Sequence, residues 1–224
     1  QRDARRVARA FKARFPRLDV LVNNVGGLFT TRQVTAEGHE RTLALNYLRG
    51  FILVEELLPL LEQAPRGRIV HVTSDAQAQG TVRFDNLQAE GFFWFGWVYG
   101  AAKRMIVMAT RELARRLRER GSRVTVNCVH PGFVRTNIGQ HNGGVTPLLM
   151  RLAMKRFGLT PAEGADALVW LATSSEVAAV SGAYFERRQA KRPAAQALDD
   201  AACVQLWSET ERLVAASARA ADAD

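Results

Sequence analysis

Cysteine is scarce in this chain. Cys128 and Cys203 are the only two in 224 residues, with no C-x-x-C pair and no Cys/His cluster at metal-ligand spacing, which argues against a disulfide framework or a zinc site. The four histidines, His39, His71, His130 and His141, are equally dispersed, so no metal is expected. Long apolar runs are missing too. No segment reaches the roughly 18 consecutive apolar residues of a membrane span, and the N-terminus lacks the charged-then-apolar pattern of a signal peptide. No serine sits in a G-x-S-x-G elbow, which removes the usual nucleophile of an α/β-hydrolase. The expected setting is therefore soluble, reducing and cytoplasmic. Because the chain opens on Gln1 rather than methionine, its natural beginning is left open.

What is present suits one globular domain with a sizeable core: 47% of the residues are hydrophobic. The formal charge is +9, from 31 Lys+Arg against 22 Asp+Glu, a balance that favours acidic partners in general. Along the sequence, however, the charge is scattered. The nearest approach to a cluster, Arg111 to Arg123, interleaves arginines with Glu112, Glu119, Leu113 and Leu117, as the solvated face of an amphipathic helix does. No nucleic-acid partner is expected from it.

Strand and helix patterns alternate. An amphipathic helix over 1–15 ends at Pro16, and Leu18 to Asn24 reads as a buried strand running into Gly26-Gly27. A long helix follows over 40–62. Arg68 to Ser74 is a second, β-branched strand, and residues 99–120 form a second long helix closed by Gly121. Arg123 to Val129 is a third strand stopping at Pro131-Gly132. A helix over 161–173, a strand over 180–185 and a terminal amphipathic helix over 195–216 complete the pattern. Strands alternating with crossover-length helices predict a parallel sheet covered on both faces, whose ligands bind where the strands end.

Tyr99 and Lys103 are spaced i,i+4, so on a helix a phenol and an ammonium share one face, and a neighbouring cation favours the ionised phenol. Taken alone, the pair is as well explained by a half-buried ring beside a solvated amine. Four signatures in one order change that reading: Asn23-Asn24-Val25-Gly26 after a strand, Asn46 in the next helix, Ser74 ending the next strand, then Tyr99-x-x-x-Lys103. This order resembles the short-chain dehydrogenase/reductase family over essentially the whole chain. Leu206-Trp207-Ser208-Glu209 is similar to its retinol-dehydrogenase-like subgroup, and His130 to Thr136 resembles the family's cofactor-side Pro-Gly segment.

The resemblance implies a Rossmann-like sheet, NAD or NADP as cofactor, and hydride transfer to or from an alcohol or carbonyl. Tyr99 would be the general acid or base and Ser74 the partner that hydrogen-bonds the same substrate oxygen. Lys103 would bias Tyr99 and hold the nicotinamide ribose, and Asn46 would hold a water linking Lys103 to solvent. Asn23, Asn24, Gly26, Pro131, Gly132, Val134 and Thr136 would contribute to the cofactor site. Five aromatics in positions 92–97 follow no clean period and are expected either to cap the site against a small apolar alcohol, aldehyde or ketone, or to pack on the body of the domain or a second subunit. Residues 139–157 are a second candidate lid. A homo-oligomer is suggested by the resemblance.

One family element is missing. No glycine-rich pyrophosphate turn precedes Asn23, and 22 residues cannot supply the first three strands of the fold. The expectation is a single domain over 1–224 that represents the catalytic and substrate part of the family, N-terminally truncated and lacking the first βαβαβ portion. A non-catalytic module of the same fold, acting only in binding, is the alternative. The strand over 18–24 would then expose an unpaired apolar edge, which predicts marginal stability.

Overall fold

The computed structural model describes residues 1–136, 138–139, 155–156 and 158–222. Its centre is a five-stranded sheet in sequence order: β1 (Val20–Asn23), β2 (Arg68–Val72), β3 (Thr125–His130), β4 (Tyr184–Glu186) and β5 (Gln189–Lys191). The first four strands run parallel, with Val20 beside Arg68 and Arg68 beside Thr125. The strand β5 turns back antiparallel on β4, a short hairpin the sequence pattern does not announce because Gln189 to Lys191 is exposed and has no apolar alternation.

Side chains of the inner strands alternate between two cores, since successive residues of a strand point to opposite faces. Ile69 and Val126 join the larger cluster, built with Leu48, Ile52, Met108 and Leu206. Val70 and Val129 face the smaller one, with Ala167, Leu171 and Phe185. The larger core belongs to three long helices: α3 (Arg49–Glu62), α4 (Phe95–Glu119) and the C-terminal helix, Asp200–Asp222. Between them in sequence lies the helix of the opposite face, Pro161–Thr173. In chain order these last two are α5 (Pro161–Thr173) and α6 (Asp200–Asp222). The helix α5 starts on a capping box between Thr160 and Glu163 with proline in its first turn. The helix α4 stops at Gly121 (φ +69°), where the Ser122 amide donates to the Leu117 carbonyl in a Schellman closure.

The helix expected over 40–62 is interrupted. Glu40, fully buried, caps α2 (Arg41–Leu43) by accepting from the Thr42 and Leu43 amides at 2.8 and 2.7 Å. A π-helical turn, Ala44–Leu48, then leads into α3. The N-terminal helix α1 (Arg2–Lys12) lies on α3 through Ala4 and Ala8, with Arg5 and Lys12 sharing the Glu56 carboxylate. The helix α4 begins four residues ahead of Tyr99, so Phe95 and Trp97 belong to its first turns.

The helix α6 closes the α3/α4 face. Trp207 packs on Phe51 with ring centroids 4.7 Å apart, lies under the Arg116 guanidinium, and donates its indole N–H to Glu211 at 2.6 Å. Tyr47 and Thr210 hydroxyls meet beside it at 2.8 Å. Strand β1 pairs with β2 alone among the described residues, and Val22 and Val25 are 42% and 52% exposed at that margin. Among the same residues no helix is long and apolar enough to cross a membrane. Trp207→Ala should cost about 3–5 kcal/mol of stability, read as a lowered denaturation midpoint, because it empties a buried aromatic site under α6.

Candidate active site

Strand β2 ends at Val72 and the chain continues through Thr73 to Ser74, which caps a 3₁₀ turn, Asp75–Ala78. The Ser74 hydroxyl accepts from the Ala76 amide at 3.2 Å and donates to the Asp75 carboxylate at 2.9 Å. With its proton directed at Asp75, the oxygen keeps a lone pair for another donor. Tyr99 stands near enough for this hydroxyl to act on its phenol, favouring ionisation.

Helix α4 is held against this turn by backbone contact. A Cβ on Gly80 would lie 2.0 Å from the Gly100 carbonyl carbon, and one on Gly100 would lie 2.6 Å from the Ala76 oxygen. Only glycine permits that approach. Arg104 reinforces it, donating to the Gln77 and Ala78 carbonyls at 2.8 and 3.0 Å. Thr73 adds a bond from its hydroxyl to the Lys103 carbonyl at 2.8 Å.

Lys103 is 3% exposed, donates to the Val72 carbonyl at 3.2 Å and stands 5.5 Å from the centroid of the Tyr99 ring. Burial, with the nearby Arg49 charge, brings its pKa down to about 8. Burial acts oppositely on Tyr99, pushing the phenol up to about 12; the Asp75 charge adds to that and the Ser74 hydrogen bond opposes it. Desolvation is the largest of these effects, so the phenol moves away from the ionisation that a neighbouring cation would favour.

Asn46 sits in the π turn. Its amide donates to the Gly27 and Thr42 carbonyls at 2.8 and 2.9 Å, and its oxygen accepts from the Gly27 amide at 3.2 Å. Both amide hydrogens are therefore committed to protein, and the side chain clamps the Gly26-Gly27 segment. A Cβ on Gly26 would fall 2.7 Å from the Asn46 oxygen and 3.2 Å from the Lys103 nitrogen, so Gly26, Asn46 and Lys103 share one small volume.

Asn23 turns inward. Its amide nitrogen lies 3.4 Å from the Gly50 carbonyl and 3.3 Å from His71 Nδ1. An amide nitrogen can only donate, so Nδ1 accepts and the His71 proton sits on Nε2. Asn24 and Gly26 are exposed just beyond the strand. Pro131 to Thr136 lie at the end of the neighbouring β3 and lean toward α5. Gly132 (φ +97°) abuts Leu159, the Val134 side chain fits over Gly164, and Thr136 accepts from the Ile138 amide. Residues 140–154, most of the second candidate lid, lie outside the described residues.

The aromatic run divides. Phe92 (81% exposed), Trp94 and Trp97 line a groove of about 760 Å³ with Leu87 and Met105, and neither Ser74 nor Tyr99 is part of its wall. A second cavity of about 440 Å³ runs from Asn46, Arg49 and His71 to Leu113 and Trp207. Among the described residues no group of His, Cys, Asp and Glu could hold a metal. Sequence reasoning missed Asp75, Arg104, His71 and the Gly80/Gly100 pair. Asp75 directly after a strand-end serine and Gly100 directly after the tyrosine were the available signals.

Two measurements follow from this geometry. Gly26→Ala should lower stability by about 1–3 kcal/mol, because its methyl group has no room between Asn46 and Lys103. His71 is held neutral, its pKa moved by burial and by Lys103 from 6.5 to about 4. The unfolded chain binds a proton there first, so this contribution is whole above about pH 6.5 and is lost as pH falls toward 4. Denaturation midpoints across that window should decline less in His71→Asn, whose amide oxygen can still accept from Asn23.

Comparison with known proteins gives the family. The family model described as short chain dehydrogenase matches residues 1–143. Human retinol dehydrogenase 14 is 39% identical over 203 residues, which is 89% of this chain and 59% of that protein. The chain thus spans about three fifths of that relative's length. A crystal structure of an uncharacterised protein from Mycobacterium paratuberculosis superposes with a TM-score of 0.71 at 24% identity, covering 92% of this chain and 70% of the other. The RhlG/NADP active-site complex of Pseudomonas aeruginosa does so with a TM-score of 0.59 at 26% identity, over 82% and 70%. With the Asn46, Ser74, Tyr99 and Lys103 order on a parallel sheet and the family match over 1–143, the chain belongs to the short-chain dehydrogenase family.

Proposed function

We propose that this chain carries the proton-transfer centre of an NAD(P)-dependent oxidoreductase acting on a small apolar alcohol, aldehyde or ketone. The observation that carries the reading is the close approach of the turn capped by Ser74 to the start of α4, which carries Tyr99, with the buried Lys103 against the tyrosine ring. Such a pair can address one substrate oxygen from two sides. In reduction, Tyr99 gives its proton to that oxygen as negative charge develops on it; in oxidation, it takes the proton back. A phenol pushed up to about 12 is protonated near neutral pH and ready for the first role. Ser74, whose own proton is directed at Asp75, turns it toward the substrate oxygen when substrate enters.

The residues present fit the nicotinamide end of a dinucleotide. Lys103 has three donor hydrogens and donates to Val72, which leaves capacity for ribose hydroxyls. Gly26 lets its backbone approach Asn46 and Lys103 closely, without a side chain between them. The cofactor, when bound, supplies or takes up hydride. The P. aeruginosa relative holds NADP, which supports the same cofactor class here. Phosphate contacts have no glycine-rich turn to come from within these residues.

The apolar substrate reading rests on the aromatic run leading into Tyr99 and on the likeness to retinol dehydrogenase 14. The binding-only alternative is not favoured, because it gives no reason for burying a lysine against a tyrosine ring beside a strand-end serine. The test is turnover of the full-length protein with NADH and NADPH against apolar aldehydes and ketones. Tyr99→Phe should lower kcat by about a hundredfold or more while leaving cofactor affinity within a few-fold. Unchanged turnover would discard the mechanism.

A further inference from the structure

Beneath the sheet, at the end opposite Ser74, three loops feed the starts of β1, β2 and β3. They are tied together by backbone: the Leu18 amide donates to Leu60, Arg68 to Asp19 and Thr125 to Gly67, all near 3 Å. Glu62 then accepts from Arg120 at 2.7 Å and from Ser122 at 3.1 Å, joining the ends of α3 and α4. The three strand starts are in register, Val20 beside Arg68 beside Thr125, so they span only about 10 Å.

Six exposed arginines lie in the segments that lead into these strand starts, from separate parts of the chain: Arg14 and Arg17 before β1, Arg66 before β2, and Arg118, Arg120 and Arg123 before β3. Arg17 pairs with Asp19 and Arg120 with Glu62. Arg14, Arg66, Arg118 and Arg123 have no acidic partner among the described residues. Phe15 stands 49% exposed among them, stacked on Phe11 at 4.7 Å, between Arg14 and the exposed Pro16. Against these six stand Asp19, Glu62 and Glu119, also exposed, so the excess at this end is positive, and none of the six arginines lines either cavity.

We propose that this strand-start floor docks on an anionic lipid surface. Clustered arginines are drawn to acidic headgroups, and a single half-exposed ring among them can enter the interfacial region as an anchor. A nucleic acid is the poorer match. Single strands are held in grooves on successive stacking rings, and this floor has one exposed ring and neither of the two cavities. Docked in this way, the Ser74 and Tyr99 end faces away from the bilayer, and the inference does not depend on the proposed chemistry.

The experiment is co-sedimentation of the chain with phosphatidylcholine vesicles and with vesicles that also contain phosphatidylserine. Binding is expected only with phosphatidylserine and should fall as salt rises. The triple variant Arg14→Gln, Arg66→Gln, Arg123→Gln should weaken it about a hundredfold. Equal charge removal elsewhere, Arg83→Gln, Arg192→Gln, Arg212→Gln, should weaken it far less. Phe15→Ala should remove the part that survives added salt. Matching thermal midpoints for all variants establish that each is folded. Failure to bind phosphatidylserine vesicles at low salt, equal losses in the two triple variants, or displacement from vesicles by an equal mass of duplex DNA would each overturn the proposal.

Discussion

The candidate site depends on two glycines that touch no substrate. Gly80 and Gly100 let the turn after β2 and the first turns of α4 meet backbone to backbone, closer than any pair of side chains would allow. That approach brings the helix turn bearing Tyr99 against the turn bearing Ser74 and puts Lys103 beside the tyrosine ring and on the Val72 carbonyl. Arg104 and Thr73 then lock the contact from either side. A methyl group at either glycine would part the two elements by more than a hydrogen bond can span.

Burial accounts for the electrostatics of the same region. The sheet end, α3 and α4 bury Lys103 and partly bury His71 and Tyr99, so the bases are pushed down and the phenol up. The effect is a site whose resting form keeps Tyr99 protonated, His71 neutral and Lys103 charged near neutral pH. Asn46 contributes through geometry. The π turn around it lets its amide reach the Gly27 loop while still bonding the helix carbonyl at Thr42. A regular helix interior is a poor place for asparagine, and here the irregular turn gives it a reason to be there.

Much of this was legible beforehand. The parallel strands, the helix over 161–173 and the glycine stop at 121 follow from β-branched runs, a capping box and a Schellman glycine, all of which act over a few residues. The order of Asn46, Ser74, Tyr99 and Lys103 was visible because each lies at a position its own element defines. The edges were less legible. The β4–β5 hairpin is too short and too polar to show a period, and the start of α4 was hidden because its first aromatics stay near the surface, with Trp97 59% exposed, and so follow no apolar period. The packing of the Val134 side chain over Gly164, across the fold, also has no sign in the sequence.

The amino-acid order alone determined the element types, the strand sequence and the identities of the groups that could move a proton, because propensity, capping and spacing are local. Tertiary structure alone decided which of those groups meet and what their surroundings do to them. It turned an expected lowering of the Tyr99 pKa into a rise, since desolvation depends on every element packed around the ring. It also gathered arginines separated by up to about a hundred positions onto one floor, because parallel strands start side by side however far apart they lie in the chain.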